Sequence, residues 1–263
     1  MPATIAAIAA KLGDAARRFD IDLLESCDST NAVLLSRAEA GAPSGTVVIA
    51  TEQTAGRGRR GRSWCTSAGD SLSFSLLWRF APGTAPAGLS LAIGVAVARA
   101  LARVPAGTHG AGDTSLKWPN DILRNGRKLG GILVELLPGA PYAAVIGIGI
   151  NLHLPASMPG DLRAASAALY AADETADENA LYAALLGELL ATLENFATHG
   201  FAALRPEWLA RHAFQDAGVS LASDFGTPRL GICRGVDSDG ALLLEVDGRV
   251  ERILSGEVSL RPA

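Results

Sequence analysis

The stretch Thr51-Glu-Gln-Thr-Ala-Gly-Arg-Gly-Arg-Arg-Gly-Arg-Ser-Trp64 narrows the choice of fold more than any other part of this 263-residue chain. It follows an apolar run, residues 46–51, that reads as a strand, and it sets four arginines and three glycines between Gly56 and Arg62. Glycine lets a backbone take φ > 0 and approach an anion closely. Arginine supplies fixed charge and forked donors suited to phosphate and carboxylate. Gly56-x-Gly58-x-x-Gly61 matches a dinucleotide-binding fingerprint, and the run through Gly61-Arg62-Ser63 differs from a P-loop by arginine in place of lysine. Both folds need a helix to open where the loop ends. The residues that follow, Arg62-Ser-Trp-Cys-Thr-Ser-Ala-Gly-Asp70, have no apolar helical period, which argues against both. A solvated basic loop is the bland alternative. The alternating glycines and the closing Trp64 favour a loop that binds a phosphorylated ligand.

The rest of the chain is ordinary and globular: 49% hydrophobic, 19% charged, with a net charge of -4. An acidic balance argues against a general nucleic-acid coat, so the charge that matters is local. Cys27, Cys65 and Cys233 lie far apart and offer no redox pair or metal spacing. His109, His153, His199 and His212 show no ligand spacing either, so no metal site is expected. Residues 1–20 lack an apolar signal core, and the apolar stretch 89–102 is interrupted by Gly94 and Arg99 and too short to span a bilayer. A cytoplasmic protein is the expectation.

Periodicity predicts an opening amphipathic helix carrying Ile5, Ile8, Leu12, Ala16 and Phe19, and a second helix over 32–40 behind the capping residues Asp28-Ser-Thr-Asn31. Strands are expected over 46–51, 71–78, 115–118, 121–124, 129–137 and 142–151, with hairpin signals at Asn125-Gly126 and at residues 138–141. Helices are expected over 89–104, 179–198 and 201–212, and short helical patches within 155–178. After about Ala217 the pattern turns to short strands, over 219–221, 229–236, 241–246 and 249–254, with tight turns at 237–240 and Asp247-Gly248. The fold class that results is α+β: a mixed β-sheet packed by helices over residues 1–216, and a small β-barrel over 217–263.

Four segments then line up in order: Asp28-Ser-Thr-Asn31, the Gly-Arg-Gly-Arg-Arg-Gly loop, Lys117-Trp-Pro-Asn-Asp121, and Lys128-Leu-Gly-Gly-Ile-Leu-Val-Glu135, followed by Gly147-Ile-Gly-Ile-Asn151. Together they make the chain resemble the biotin protein ligases over roughly residues 19–260. The resemblance implies the biotin/lipoate ligase catalytic fold, related to class II aminoacyl-tRNA synthetases, with an SH3-like C-terminal barrel. It implies activation of biotin by ATP with Mg²⁺ to biotinyl-5′-AMP, then transfer to a lysine of a biotin carboxyl carrier protein domain of a carboxylase. ATP and biotin are substrates, and no tightly bound prosthetic group is implied. Neither DNA nor a membrane is an expected partner, and a homodimer stays open. Ser29 is preceded by 28 residues, too few for a winged helix-turn-helix, so the monofunctional class is expected.

By the same resemblance, Arg59 and Lys117 are the catalytic cations. Ser29, Thr30, Asn31, Gln53, Gly56, Arg57, Gly58, Arg59, Lys117, Gly130 and Gly131 surround biotin. Arg57, Arg59, Arg62, Trp64, Lys117, Asn120, Asn151 and Glu257 face the nucleotide. Each has a duller reading: Ser29 and Thr30 as a helix cap, Lys117 as an edge lysine, Glu257 as a strand cap. Asp121 is either a turn residue or a Mg²⁺ carboxylate. Where relatives often carry a Trp near the adenine, Ile253-Leu254 stand here. Two rivals remain: a lipoate–protein ligase, and a nucleic-acid-binding module built on the arginine loop and the small barrel.

Overall fold

The computed structural model describes residues 2–64, 67–104, 114–137, 143–155, 158–223, 227–254 and 258–262. The chain opens with α1 (Ile5–Leu12), capped by Thr4, whose hydroxyl accepts from the Ala7 amide. The helical period continues in sequence to Phe19, but the α-helix does not. Gly13 takes φ 60°, a 3₁₀ turn follows over Gly13–Arg18, and Phe19 is already extended. The next element, β1 (Asp20–Cys27), was not expected. It is a half-exposed edge strand, and Asp20, Asp22 and Glu25 dilute its apolar signal. Then come α2 (Thr30–Glu39), β2 (Thr46–Gln53), β3 (Ser71–Arg79), α3 (Leu89–Arg103), β4 (Thr114–Lys117), β5 (Asp121–Arg124), β6 (Arg127–Leu137) and β7 (Ala143–Asn151). The expected turn at 138–141 and the loop over 105–113 lie outside the described residues.

Among the described residues these strands form one seven-stranded sheet in the order β1-β2-β3-β7-β6-β5-β4. β1 and β2 run parallel and every other pair antiparallel, so the sheet is mixed. Strand alternation sends its two faces to different fates. Val47, Ile49, Leu72, Phe74, Leu76, Ile146, Ile148 and Ile150 face a large core that also takes in α3. It is closed by α4 (Gly160–Ala165)-linked segments around Ala167 and Leu169, by α5 (Glu178–His199) and by α6 (Arg205–Ala210). On the other face Val48, Leu77, Ala143 and Val145 pack under α2 through Leu34 and Ala38. The expected helix over 201–212 is shorter, because Pro206 opens α6 after a separate 3₁₀ turn at Phe201–Ala203. α5 is long and apolar enough to cross a membrane, yet 61% of its most apolar stretch is buried in this core.

The C-terminal strands β8 (Gly218–Ser223), β9 (Arg229–Val236), β10 (Leu242–Val246), β11 (Arg249–Ile253) and β12 (Val258–Pro262) form a second, antiparallel sheet in the order β11-β10-β9-β8-β12, consistent with an SH3-like unit. β12 also went unread in the sequence. Both two-residue hairpins were legible: Asn125-Gly126 and Asp247-Gly248 each place two successive residues at positive φ. Among the described residues, the second sheet shares the core of the first. Val219, Leu221, Cys233, Val236, Leu242, Leu244 and Leu260 belong to the same buried cluster as the main sheet.

Candidate active site

The face of the main sheet that carries α2 does not stay apolar. Along β7 the core face reads Ile146, Ile148, Ile150, while the opposite face reads Val145, Gly147, Gly149, Asn151. On β3 it carries Ser75, and on β6 Gly131. Missing side chains leave room there, and a cavity of about 320 Å³ occupies it. The arginine loop forms one wall. It folds as a small hairpin: Arg57 bridges Ser63, the Gly58 amide donates to the Arg62 carbonyl at 2.7 Å, and the Trp64 amide donates to the Gly56 carbonyl at 2.8 Å. Arg60 and Gly61, at φ 61° and 67°, turn its tip.

Of the residues expected around a ligand, Ser29, Thr30, Asn31, Gln53, Arg57, Gly58, Arg59, Arg62, Trp64, Lys117, Asn120, Gly131 and Asn151 line this one cavity. Gly56 and Gly130 do not, and each is glycine for another reason. A Cβ on Gly56 would lie 2.5 Å from the Trp64 carbonyl oxygen and block closure of the hairpin. Gly130 alternates with Gly131 and so faces the core, where a Cβ would lie 2.6 Å from the Gly149 carbonyl oxygen. Glu257 is outside the described residues.

One end of the cavity is neutral and tightly bonded. Ser29 sits at the N-cap position of α2, but its side chain makes no capping hydrogen bond, so the helix-cap reading does not account for it. The Thr30 amide donates to Gln53 Oε1 at 2.8 Å, with the Thr30 hydroxyl 3.2 Å from the same oxygen. Ser75 Oγ, missed in the sequence, lies 2.8 Å from Thr30 Oγ1 and 2.5 Å from Asn31 Oδ1. The Asn31 oxygen only accepts, so the single Ser75 proton goes to it. Asn31 Nδ2 donates to Glu135 Oε2 at 2.7 Å and to the Leu133 carbonyl at 3.3 Å. A Cβ at Gly147 would fall 2.2 Å from Asn31 Oδ1, so glycine there admits the network. Gly147 and Gly149 could have been found from sequence as glycines alternating with isoleucines.

The other end is charged. Lys117 Nζ lies 2.6 Å from Asp121 Oδ2 and Lys128 Nζ lies 2.7 Å from Asp121 Oδ1. Burial pushes the Asp121 carboxyl up, but the Lys128 and Lys117 ammonium groups outweigh it and hold it below the usual carboxylate range. Arg59 reaches Asn120 Oδ1 at 3.4 Å. Its own value is lowered, first by burial and then by Arg60 and Arg62, with Asp121 opposing. Asn120 is held to β6 by its side-chain amide, 2.7 Å from the Ile132 carbonyl. Trp118 is fully buried and donates from Nε1 to the Gly240 carbonyl at 3.1 Å, anchoring the turn beside Lys117 on the C-terminal sheet. Asn151 is buried too, its amide nitrogen 3.0 Å from the Ala167 carbonyl. Trp64 lies against the bare strand at Gly149, 5.6 Å from Lys128 Nζ to ring centroid, and its Nε1 is a buried donor with no acceptor among the described residues. Met158 and Leu162 add apolar lining to the cavity that the sequence did not reveal. No cluster of three or more His, Cys, Asp or Glu side chains suited to a metal occurs among the described residues.

A buried, bonded polar pocket joined to a cluster of fixed cations suits a ligand with a neutral head and an anionic tail that meets a phosphate. Comparison with known proteins agrees. Residues 23–151 match the biotin/lipoate A/B protein ligase family, and residues 227–261 match the biotin protein ligase C terminal domain. The chain is 41% identical over 247 residues to the bifunctional ligase/repressor BirA of Escherichia coli (strain K12), covering 92% of this chain and 74% of that one. It is 36% identical over 242 residues to the biotin--[acetyl-CoA-carboxylase] ligase of Mycobacterium tuberculosis, covering 90% and 88%. Among solved structures, biotin protein ligase from Aquifex aeolicus in complex with biotin and ATP superposes with a TM-score of 0.76 at 28% identity, covering 93% of this chain and 99% of that one. The chain belongs to the biotin/lipoate protein ligase family and, within it, to the biotin protein ligases.

Proposed function

We propose that the chain activates biotin with ATP and Mg²⁺ and passes the biotinyl group to a lysine of a carboxylase's biotin carboxyl carrier domain. One observation carries this reading: a neutral bonded pocket and a cluster of fixed cations share one cavity. In the first step a biotin carboxylate oxygen bonds to the α-phosphorus of ATP. The bond from that phosphorus to the bridging oxygen breaks, and pyrophosphate leaves with the Mg²⁺ that arrived on ATP. In the second, the neutral amine of the carrier lysine attacks the acyl carbon, AMP leaves, and the amine gives up a proton. An anion attacking a polyanion is slow in water, and preorganised cations are the main lever against that repulsion.

On this reading Ser29, Thr30 and Gln53 hold the ureido ring, whose donors and acceptors need partners once buried. Lys117 draws the carboxylate and an α-phosphate oxygen together, and Arg59, on the arginine hairpin itself, retains the acyl-adenylate. Met158 and Leu162 offer the adenine an aliphatic contact, which a Trp near Leu254 does not supply here. The C-terminal unit from about residue 217 acts as a support for the turn that carries Lys117. The setting is cytoplasmic.

ATP–pyrophosphate exchange tests this directly. With purified protein and Mg²⁺, exchange should require biotin and not be supported by lipoate. Exchange with lipoate alone would keep the chemistry and move the substrate. No exchange with either would overturn the reading.

A further inference from the structure

We propose that Glu135, outside the cavity, is a positioning residue that sets specificity. Through Asn31 and Ser75 it fixes the Thr30 hydroxyl as a hydrogen-bond acceptor, so that the pocket selects a ligand head with an N–H at that point. The inference rests on the function proposed above. Protons can be counted along the contacts. An ionised carboxylate has none to give and only accepts. Glu135 Oε2 lies 2.7 Å from Asn31 Nδ2, and the Leu133 carbonyl lies 3.3 Å from the same nitrogen. Two acceptors thus turn the Asn31 amide nitrogen their way, and the shorter, charge-assisted contact is the stronger. Asn31 Oδ1 is left facing Ser75 Oγ at 2.5 Å and takes its one proton. Across the 2.8 Å to Thr30 Oγ1, Ser75 can then only accept, so the Thr30 proton points back at Ser75. That leaves the longer 3.2 Å contact between Thr30 Oγ1 and Gln53 Oε1 without a proton, and the same Gln53 oxygen already receives the Thr30 amide at 2.8 Å. What the Thr30 hydroxyl offers the cavity is lone pairs.

The strands are built to admit this relay. Cross-strand pairing sets Leu133 opposite Gly147 and Glu135 opposite Val145, so Glu135 shares the sheet face that α2 covers. Two residues along each strand from Ser75 and Gly147, the same face carries Leu77 and Val145, which pack against α2 with apolar side chains alone. Holding the helix therefore does not call for a polar group at Ser75. Yet Ser75 is fully buried, Asn31 and Thr30 are 3% and 4% exposed, and Gly147 lacks the Cβ that would strike Asn31 Oδ1. A buried polar chain of this kind is costly unless every link is satisfied, and here each link has its partner. Neither Ser75 nor Glu135 lines the cavity, whereas Thr30 and Asn31 do. The relay runs from a carboxylate behind the wall to one hydroxyl on it. A ureido N–H completes the Thr30 oxygen. A ring oxygen in its place sets lone pairs against lone pairs and leaves both unpaired.

The test is calorimetric binding, without ATP, of biotin and of the two biotin analogues in which one ring N–H is replaced by oxygen. The unmodified chain, Glu135→Met and Ser75→Ala are compared, with thermal melts to confirm folding. The more affected analogue should bind the unmodified chain at least about thirtyfold more weakly than biotin, because a site built to accept an N–H rejects a head that lacks it. In both variants the Thr30 proton is released from Ser75 or turned toward the cavity, where it can meet the ring oxygen. The ratio of the two affinities should then fall by about fivefold or more. A merely structural role would weaken biotin and analogue alike and leave the ratio where it was. If Glu135→Met fails to fold, Ser75→Ala carries the test alone. A fall of less than about fivefold in a folded variant, or a ratio below about thirtyfold in the unmodified chain, would overturn the inference while leaving biotin binding intact. Absence of biotin binding by the unmodified chain would overturn the proposed function and this inference together.

Discussion

The two ends of the cavity are built on opposite plans. At the neutral end Ser29 sits at the N-cap of α2, and Thr30, Asn31, Gln53 and Ser75, from α2, β2 and β3, are linked to one another by hydrogen bonds. At the charged end Lys117, Asp121 and Lys128 sit on the outer strands β4 to β6, and the support beneath them comes from elsewhere. Trp118 hangs on the Gly240 carbonyl, and the Leu116 carbonyl accepts from the His212 ring 3.1 Å away, whose other nitrogen meets Cys233 Sγ at 3.1 Å. On the proposed function, the neutral end would therefore recognise its ligand by fixed geometry. On the same proposal, the charged end works by an excess of positive charge, and the turn beside Lys117 is tied to the C-terminal sheet through Trp118.

The sharpest way to break that contrast is to remove the charge. Lys117→Met should lower the biotin-dependent exchange rate by about a hundredfold, the upper range for losing a charge-assisted contact made in the transition state. A loss of less than about threefold would mean that the charged end is structural. At the neutral end the expected effect is smaller and of another kind. Ser29→Ala removes one hydroxyl from a bonded pocket, so KM for biotin should rise about tenfold with kcat within about twofold. A fall in kcat at constant KM would erase the distinction between the two ends.

How much of this was legible follows from the same physics. Local signals carried through: Asn125-Gly126 and Asp247-Gly248 make tight hairpins, the buried helix over Leu89–Arg103 forms, and the paired motifs converge on one cavity. What failed depended on neighbours. β1 is an edge strand whose acidic residues mask its alternation, and Gly13 stops a helix whose apolar period runs on to Phe19. Gly130 and Gly131 look equivalent as a pair, yet strand alternation sends one to the core and one to the cavity. Lys128 could not be placed at all, because its direction depends on a one-residue slip between β5 and β6 that no residue type announces.

The smallest effect should come from acid, acting on the join beneath the charged end. His212 is buried between the rings of Trp208 and Phe214, its Nδ1 donating to the Leu116 carbonyl and its Nε2 accepting from the Cys233 thiol. Burial lowers its pKa below the ordinary 6.5, and the Leu116 hydrogen bond only partly opposes that. The sign follows from proton counting. Between 6.5 and the lower folded value, the unfolded chain binds more protons than the folded one. Stability from the neutral imidazole is therefore fully present above 6.5 and is lost as pH falls through that window. Urea midpoints at pH about 7.5 and about 5.5 should show the loss, and exchange activity should fall with it while biotin binding without ATP holds. His212→Asn keeps a donor for Leu116 and removes the titration, so its midpoint should depend less on pH. An equally steep fall in that variant would place the acid sensitivity elsewhere and detach the charged end from its support.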